Sequence, residues 1–277
     1  MIMEALRVVL GASPVPQGSW EREARFVSTA ALRGSAEPPA EATDLADPAD
    51  VAARLAARLH AVPGVRQVNV RPNGFLVIEI ATPGEIVDDI LAGQPPEAWR
   101  SPETGRSPET GRSPETGRPL HGSRCAPAGT GGRGTAAGTT GPWHDFPRTW
   151  DNPGFVVRYA YVRAGAVQRW ARDLGVPTGT ATGTARPALL DGAFDRAVLR
   201  VLAELPSRRE SRDPGWAAYL ERLAEVYHTA VEHASPIPRG DEPPSEVHAA
   251  RVRMGEAVCR VLGEGLAELG VTPPGKI

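Results

Sequence analysis

Arg158, Tyr161, Arg169 and Arg172 fall on one side of a single helical stretch, three cations and a phenol ring on one face. A guanidinium offers a planar fork of donors that suits a phosphate or a base edge, and a ring offers a stacking surface, so this face could contact nucleic acid. The same pattern also describes an ordinary solvated face, an amphipathic helix that packs inward and shows arginines outward. The wider charge balance does not decide between the two. The net charge is −2, residues 1–93 carry 8 basic against 12 acidic residues, 94–141 carry 6 against 4, and 142–277 carry 17 against 17. No segment is strongly basic, so any RNA contact must come from a local patch. Other chemistry finds little support. His228 and His233 are five apart, off a common helical face, so no metal pair is expected. Asp241-Glu242 sits in a proline-rich turn, and no phosphate loop, dinucleotide fingerprint or Ser-His-Asp pattern is present. Cys125 and Cys259 give neither a disulfide framework nor metal spacing; Cys259 reads as a small apolar core residue. No cofactor and no metal are expected, and a reducing cytoplasm is the expected compartment.

The element that must carry that face opens at Asp151-Asn152-Pro153, an Asx residue before a proline, a combination that starts helices. Phe155, Tyr159, Val162, Ala166 and Trp170 recur at helical spacing and predict the inward stripe, widened by Val156, Ala160 and Val167, and Gly175-Val176-Pro177 predicts the end. Three more helices are predicted downstream, over 188–205, 216–233 and 245–269, the last capped by Ser245, with a proline-punctuated crossover at 236–244. Phe194 is expected inside the first of these. Together they predict an all-α bundle over 142–277. Residues 1–93 read differently. A short helix is expected over 1–10, a second over 21–33, and a third from Asp47-Pro48 through Val62, ended by Pro63-Gly64. A hairpin follows, with strands over 65–71 and 75–80 around Pro72-Asn73-Gly74, and then a helix from Pro83-Gly84-Glu85 to Leu91. That order predicts a small α+β domain. Between the two lies 94–141, where Ser-Pro-Glu-Thr-Gly-Arg occurs three times in tandem before a Gly/Thr/Ala/Arg stretch. Such composition buries too little apolar surface to offset chain entropy, so a disordered linker is expected, leaving two modules free to move independently. No run of about 18 apolar residues predicts a membrane span, and the first residues do not read as a signal peptide.

The residues themselves carry a resemblance. Asn152-Pro153, Phe155, Tyr159-Ala160 and Arg163 resemble the opening of the first helix of the DALR anticodon-binding domain of arginyl-tRNA synthetases. Residues 220–233 and the Leu262-Gly263-Glu264-Gly265-Leu266 run with Leu269-Gly270-Val271 are similar to later segments of that domain. Arg71-Pro72-Asn73-Gly74-Phe75-Leu76-Val77-Ile78 resembles the hairpin of the same enzymes' N-terminal additional domain. The resemblance implies that Tyr159 and Arg163 face an anticodon, helped by the residue at the extreme C-terminus, here Ile277 in place of the family's Met. It implies that Phe75 faces the D-loop, with Val77 where the family has a polar residue. Arg158 and Tyr161 stand where the family has Gln and His, and with Arg169 they offer an alternative surface patch. Read from the residues alone, Tyr159 and Phe75 are equally core positions, and Arg163 an internal ion-pair partner.

In these enzymes a Rossmann catalytic domain separates the two modules; here the repeat linker takes its place. His-x-Gly-His does not occur, and the lysine-rich ATP loop has no counterpart, because Lys276 is the single lysine among 31 basic residues. The expectation is a non-enzyme, related to arginyl-tRNA synthetases, that binds or senses tRNA, arginine tRNA first. The alternative is a helical protein–protein module, docking on a synthetase or another protein, that has lost RNA binding.

Overall fold

The computed structural model describes residues 1–34, 47–93, 143–177 and 186–275. The predicted linker with its repeats, the Gly/Thr loop 178–185 and Ile277 lie outside the described residues. Helix α1 (Ile2–Leu10) buries Ile2, Met3, Leu6 and Leu10 along one side, as an amphipathic helix must. Strand β1 (Val15–Gln17) follows, and strand β2 (Ala24–Ser28) and the short helix α2 (Ala30–Gly34) occupy the stretch where one helix is predicted over 21–33. The reason is periodicity. Ala24, Phe26 and Ser28 are buried and alternate with more open Arg25 and Val27, so they share a face only at a period of two. Strand β4 supplies the partner, with Phe26 opposite Ile78. Trp20 seals that face, edge-on to Phe26 at 5.2 Å. β1 carries Pro16 and lies at the sheet edge, where the missing N–H costs no ladder bond.

Helix α3 (Pro48–His60) starts as predicted: Asp47 Oδ1 accepts from the Ala49 N–H at 2.9 Å and Pro48 opens the helix. The hairpin also forms. β3 (Val65–Val70) and β4 (Leu76–Ile80) pair antiparallel, and Gly74 takes φ +77° at the turn, a conformation that suits glycine. The sheet order is β1-β2-β4-β3. Helix α4 (Glu85–Ala92) closes this half.

Beyond residue 142 the described residues hold helices and no strand: α5 (Pro153–Asp173), α6 (Ala193–Leu202), α7 (Leu205–Glu210), α8 (Trp216–His233) and α9 (Glu246–Glu268). The helix predicted over 188–205 is broken twice. A 3-10 turn covers Pro187–Leu189, Gly192 is extended before α6, and Pro206 sits in the first turn of α7, where it needs no donor. Phe194, expected inside, is 38% exposed and stacks on His233 at 4.7 Å. The inward face of α5 keeps Val156, Ala160, Ala166 and Val167 of the predicted stripe but not its large residues. Val157, Ala160, Ala164, Val167 and Ala171 are buried, while Phe155, Tyr159 and Val162 are half-buried and Trp170 is exposed. Small side chains let α5 lie close along α9, which pushes the large rings to the edge of the contact.

One hydrophobic core runs from Ile2, Phe26 and Ile86 through Val157, Leu199 and Leu262, and the described residues on either side of the linker form one compact unit. The two halves are therefore not independent bodies. Arginines of the helical half bind main-chain carbonyls of the other: Arg200 Nε to Gly18 O at 2.6 Å, Arg196 Nη1 to Arg22 O at 3.0 Å and Arg260 Nη1 to Leu91 O at 3.1 Å. Arg253 pairs with Asp88 at 2.7 Å, and Ser13 N–H and Oγ–H both donate to the Glu210 carboxylate. Sequence patterns of single helices carry no trace of these long-range partners.

Candidate nucleic-acid interface

The start of α5 is tied down by one side chain. Asn152 Oδ1 accepts from Gly154 N–H at 3.0 Å, capping the helix, while its Nδ2 donates to His144 O at 2.9 Å and Pro147 O at 2.8 Å. The segment 143–150 is thereby pulled across the first turn. Gly154 permits the approach: a Cβ there would lie 2.5 Å from His144 O and 2.8 Å from the Trp143 carbonyl carbon. Buried Trp143 anchors one end of the segment, and Trp150, 62% exposed, stands at the other.

Four rings gather here. Phe155 and Tyr159, one turn apart on α5, stack with centroids 5.7 Å apart. His228 of α8 stacks on Tyr159 at 5.3 Å. Trp150 meets Phe155, Tyr159 and His228 edge-on at 6.1, 5.6 and 5.2 Å. Such offset and edge-to-face pairs are the favoured aromatic geometries. Arg163, the next turn of α5, places Nη1 3.3 Å from His228 Nδ1 and 3.6 Å from Glu232.

The partners fix the histidine's protonation. A guanidinium can only donate, so Nδ1 accepts; a carbonyl can only accept, so Nε2, 3.3 Å from Val156 O, carries the proton. His228 is thus neutral. Burial is the first cause of its depressed pKa, and the Arg163 charge adds to it, against opposing contributions from the Val156 bond and Glu232. The folded value lies below the ordinary 6.5, so between the two the unfolded chain binds more protons and stability rises with pH. The contribution is complete above about pH 6.5 and is lost as pH falls through the folded value. Thermal melts at pH 8 and pH 5 are expected to show a larger drop for the wild type than for His228→Gln. Equal drops would show that His228 does not set the acid limb.

The predicted site residues divide. Tyr159 and Arg163 come together at this cluster. Tyr159 is half-buried among rings, and Arg163 is paired with Glu232 yet keeps 21% of its side chain exposed. Arg158 lies against Asp145 at 3.6 Å with 17% exposure. Tyr161 is half-buried against the core, and burial raises its pKa. Its main-chain carbonyl meets the Cys259 thiol, whose own pKa burial pushes up to about 11. Arg169 is exposed and bonds back to Gly165 O at 3.2 Å. Phe75 is placed elsewhere, half-buried on the β3–β4 turn, where it lines a shallow depression with Gln17, Val27, Arg71 and Val77. Two members of the cluster were not legible. His228 is 65 residues from Arg163, and only packing of α8 on α5 unites them. Trp150 precedes the capping Asn152 by two positions, and a tryptophan beside a helix cap is its only local signal. Among the described residues no group of three His, Cys, Asp or Glu could hold a metal ion, and no helix is long and apolar enough to cross a membrane.

No protein-family model matches the chain, and no solved structure matches it. Curated relatives do. The chain is 37% identical over 132 residues to an arginine–tRNA ligase of Clavibacter sepedonicus, covering 46% of this chain and 23% of that protein. It is 40% identical over 132 residues to an arginine–tRNA ligase of Frankia alni, covering 46% of this chain and 24% of that protein. The matched stretch is about a quarter of the length of these relatives. Over part of its length, then, the chain is related to arginine–tRNA ligases.

Proposed function

We propose that this chain is a tRNA-binding protein related to arginyl-tRNA synthetases that does not itself aminoacylate, and that it holds RNA through the α5–α8 cluster of its helical half, built like a DALR anticodon-binding domain. The observation that carries the reading is the pairing of an exposed indole, set among half-buried rings, with a pre-oriented guanidinium: Arg163 fixed by neutral His228, beside Trp150 and Tyr159. Rings stack unpaired bases and a guanidinium takes a phosphate or base edge, the combination used by readers of single-stranded RNA. The kinship with arginine–tRNA ligases supports tRNA as the RNA, arginine tRNA first. The matched length, 132 residues, is comparable to that of the helical half. The non-catalytic part of the reading rests on the sequence, which has no His-x-Gly-His and only Lys276 for a lysine-rich ATP loop.

Fluorescence anisotropy with an arginine tRNA transcript at two salt concentrations tests this. Binding is expected to weaken with salt, and Arg163→Ala to weaken it about tenfold, ~1.4 kcal/mol, the range of a charge-assisted contact. The same preparation with ATP and arginine is expected to form no arginyl-tRNA. No binding to any tRNA at low salt would overturn the reading. Phe146 and Trp150, 79% and 62% exposed, would then favour a surface that docks a protein, with a synthetase as the first partner to try.

A further inference from the structure

Resting on that reading, we infer that Trp150, not Tyr159, is the ring that stacks the unpaired base, and that Arg163 takes the same nucleotide's phosphate or base edge from beside it. Tyr159 is occupied. Phe155 and His228 stack on it at 5.7 and 5.3 Å, Trp150 stands perpendicular to it at 5.6 Å, and it is only half-exposed. It is the middle of a ladder whose work is to support its neighbours. Trp150 has the opposite situation. It stands nearly perpendicular to three rings, which fixes its orientation, while 62% of the residue faces solvent. A large apolar surface held open in this way on a braced support is a stacking platform.

The brace is built in. Asn152 pins the turn that precedes α5 by bonds to His144 O and Pro147 O, and Gly154 lets that turn lie against the helix. The cation is within reach of the same ligand, because Trp150 and Arg163 share one neighbour: the His228 ring is 5.2 Å from the Trp150 ring and 3.3 Å from Arg163 Nη1. Glu232, 59% exposed and 3.6 Å from Arg163, is a weak resident partner that an RNA anion displaces. The ligand class follows. A base inside a duplex has both faces covered by its neighbours and cannot lie on the indole, whereas a loop base can.

The test uses the full chain and an arginine tRNA transcript, with Trp150→Leu, Trp150→Phe and Arg163→Ala compared across salt. Stacking is uncharged. Trp150→Leu is therefore expected to weaken binding about 5- to 150-fold with no change in the slope of log Kd against log salt, and Trp150→Phe to restore most of it. Arg163→Ala is expected to reduce that slope by about one contact. Independently of any loss of stability in the leucine variant, RNA is expected to quench wild-type tryptophan fluorescence, and Trp150→Phe to lose that quenching. Wild-type affinity in Trp150→Leu alongside weakened Arg163→Ala overturns the assignment to Trp150 and leaves tRNA binding standing. Quenching retained in Trp150→Phe also overturns it. A wild-type chain that binds no tRNA overturns both.

Discussion

Arg251→Met is expected to destabilise the folded chain by about 3–5 kcal/mol, the cost of a buried charge left without its partner. Asp195, in the first turn of α6, is wholly buried. Arg251 of α9 grips it with Nε 3.0 Å from Oδ1 and Nη2 3.1 Å from Oδ2, and a third donor reaches Ser235 O at 3.4 Å. Removing the cation strands a carboxylate with no water to turn to. Removing the anion is milder, because the Arg251 side chain is 20% exposed and keeps its bond to Ser235. Asp195→Leu should therefore cost less than Arg251→Met. The double change Asp195→Leu with Arg251→Met should recover most of the loss, since an apolar pair of similar volume replaces a buried ion pair at little cost. Denaturant midpoints of the four proteins give the coupling directly. If Arg251→Met unfolds within about 1 kcal/mol of the wild type, the pair does not hold α6 against α9 in the way its geometry implies.

The same contrast explains what could be read ahead of the structure. Features set by neighbours in sequence were legible. The Asn152-Pro153 start of α5, the Asp47-Pro48 start of α3, the Gly74 turn and the Ser245 cap all appear where local chemistry places them. Features that depend on a distant partner were not. Residues 24–28 carry helix-compatible spacing as well as strand alternation, and β4 decides between them by offering its edge. The α5 stripe is legible in its small residues, Val156, Ala160, Ala166 and Val167, and not in its rings, for a related reason. Size ranks Phe155, Tyr159 and Trp170 as core, but the closeness of α9 favours alanine there and leaves the rings at the rim. That displacement is what makes a site. Rings excluded from the helix contact gather with buried His228 and brace Trp150, the ring of the cluster that is exposed. Tyr159 and Arg163 were legible as candidates, then, while the ring and the histidine that would make them a binding surface come from other parts of the chain.

The second large effect is expected from a single methyl group. Gly84, buried at the start of α4, faces the 3-10 turn of the helical half so closely that a Cβ would lie 2.1 Å from Pro187 O and 2.7 Å from its carbonyl carbon. No side chain can swing aside there; one backbone must retreat from another. The cost, ~1–3 kcal/mol for an overpacked contact, falls on the seam between the halves. It would strain the flanking arginine bonds as well, because Arg253 holds Asp88 and Arg260 holds Leu91 O on the same helix α4. The seam is measurable because the chain crosses it through the linker. Residues 1–94 and 142–277, co-expressed as separate chains, are expected to associate, since one core and several arginine–carbonyl bonds join them without help from the linker. Gly84→Ala should weaken that association about 5- to 150-fold, read as a dissociation constant by calorimetry. Gly93→Ala is the control: it lies at the end of the same helix, and a Cβ there meets nothing nearer than 3.4 Å. Fragments that do not associate would refute a shared core, and equal affinity for Gly84→Ala and Gly93→Ala would refute the tight seam while leaving the core intact. The outcome bears on RNA binding, because halves locked together present the Phe75 hairpin and the Trp150–Arg163 cluster from one rigid support, whereas halves joined by the linker alone would present them separately.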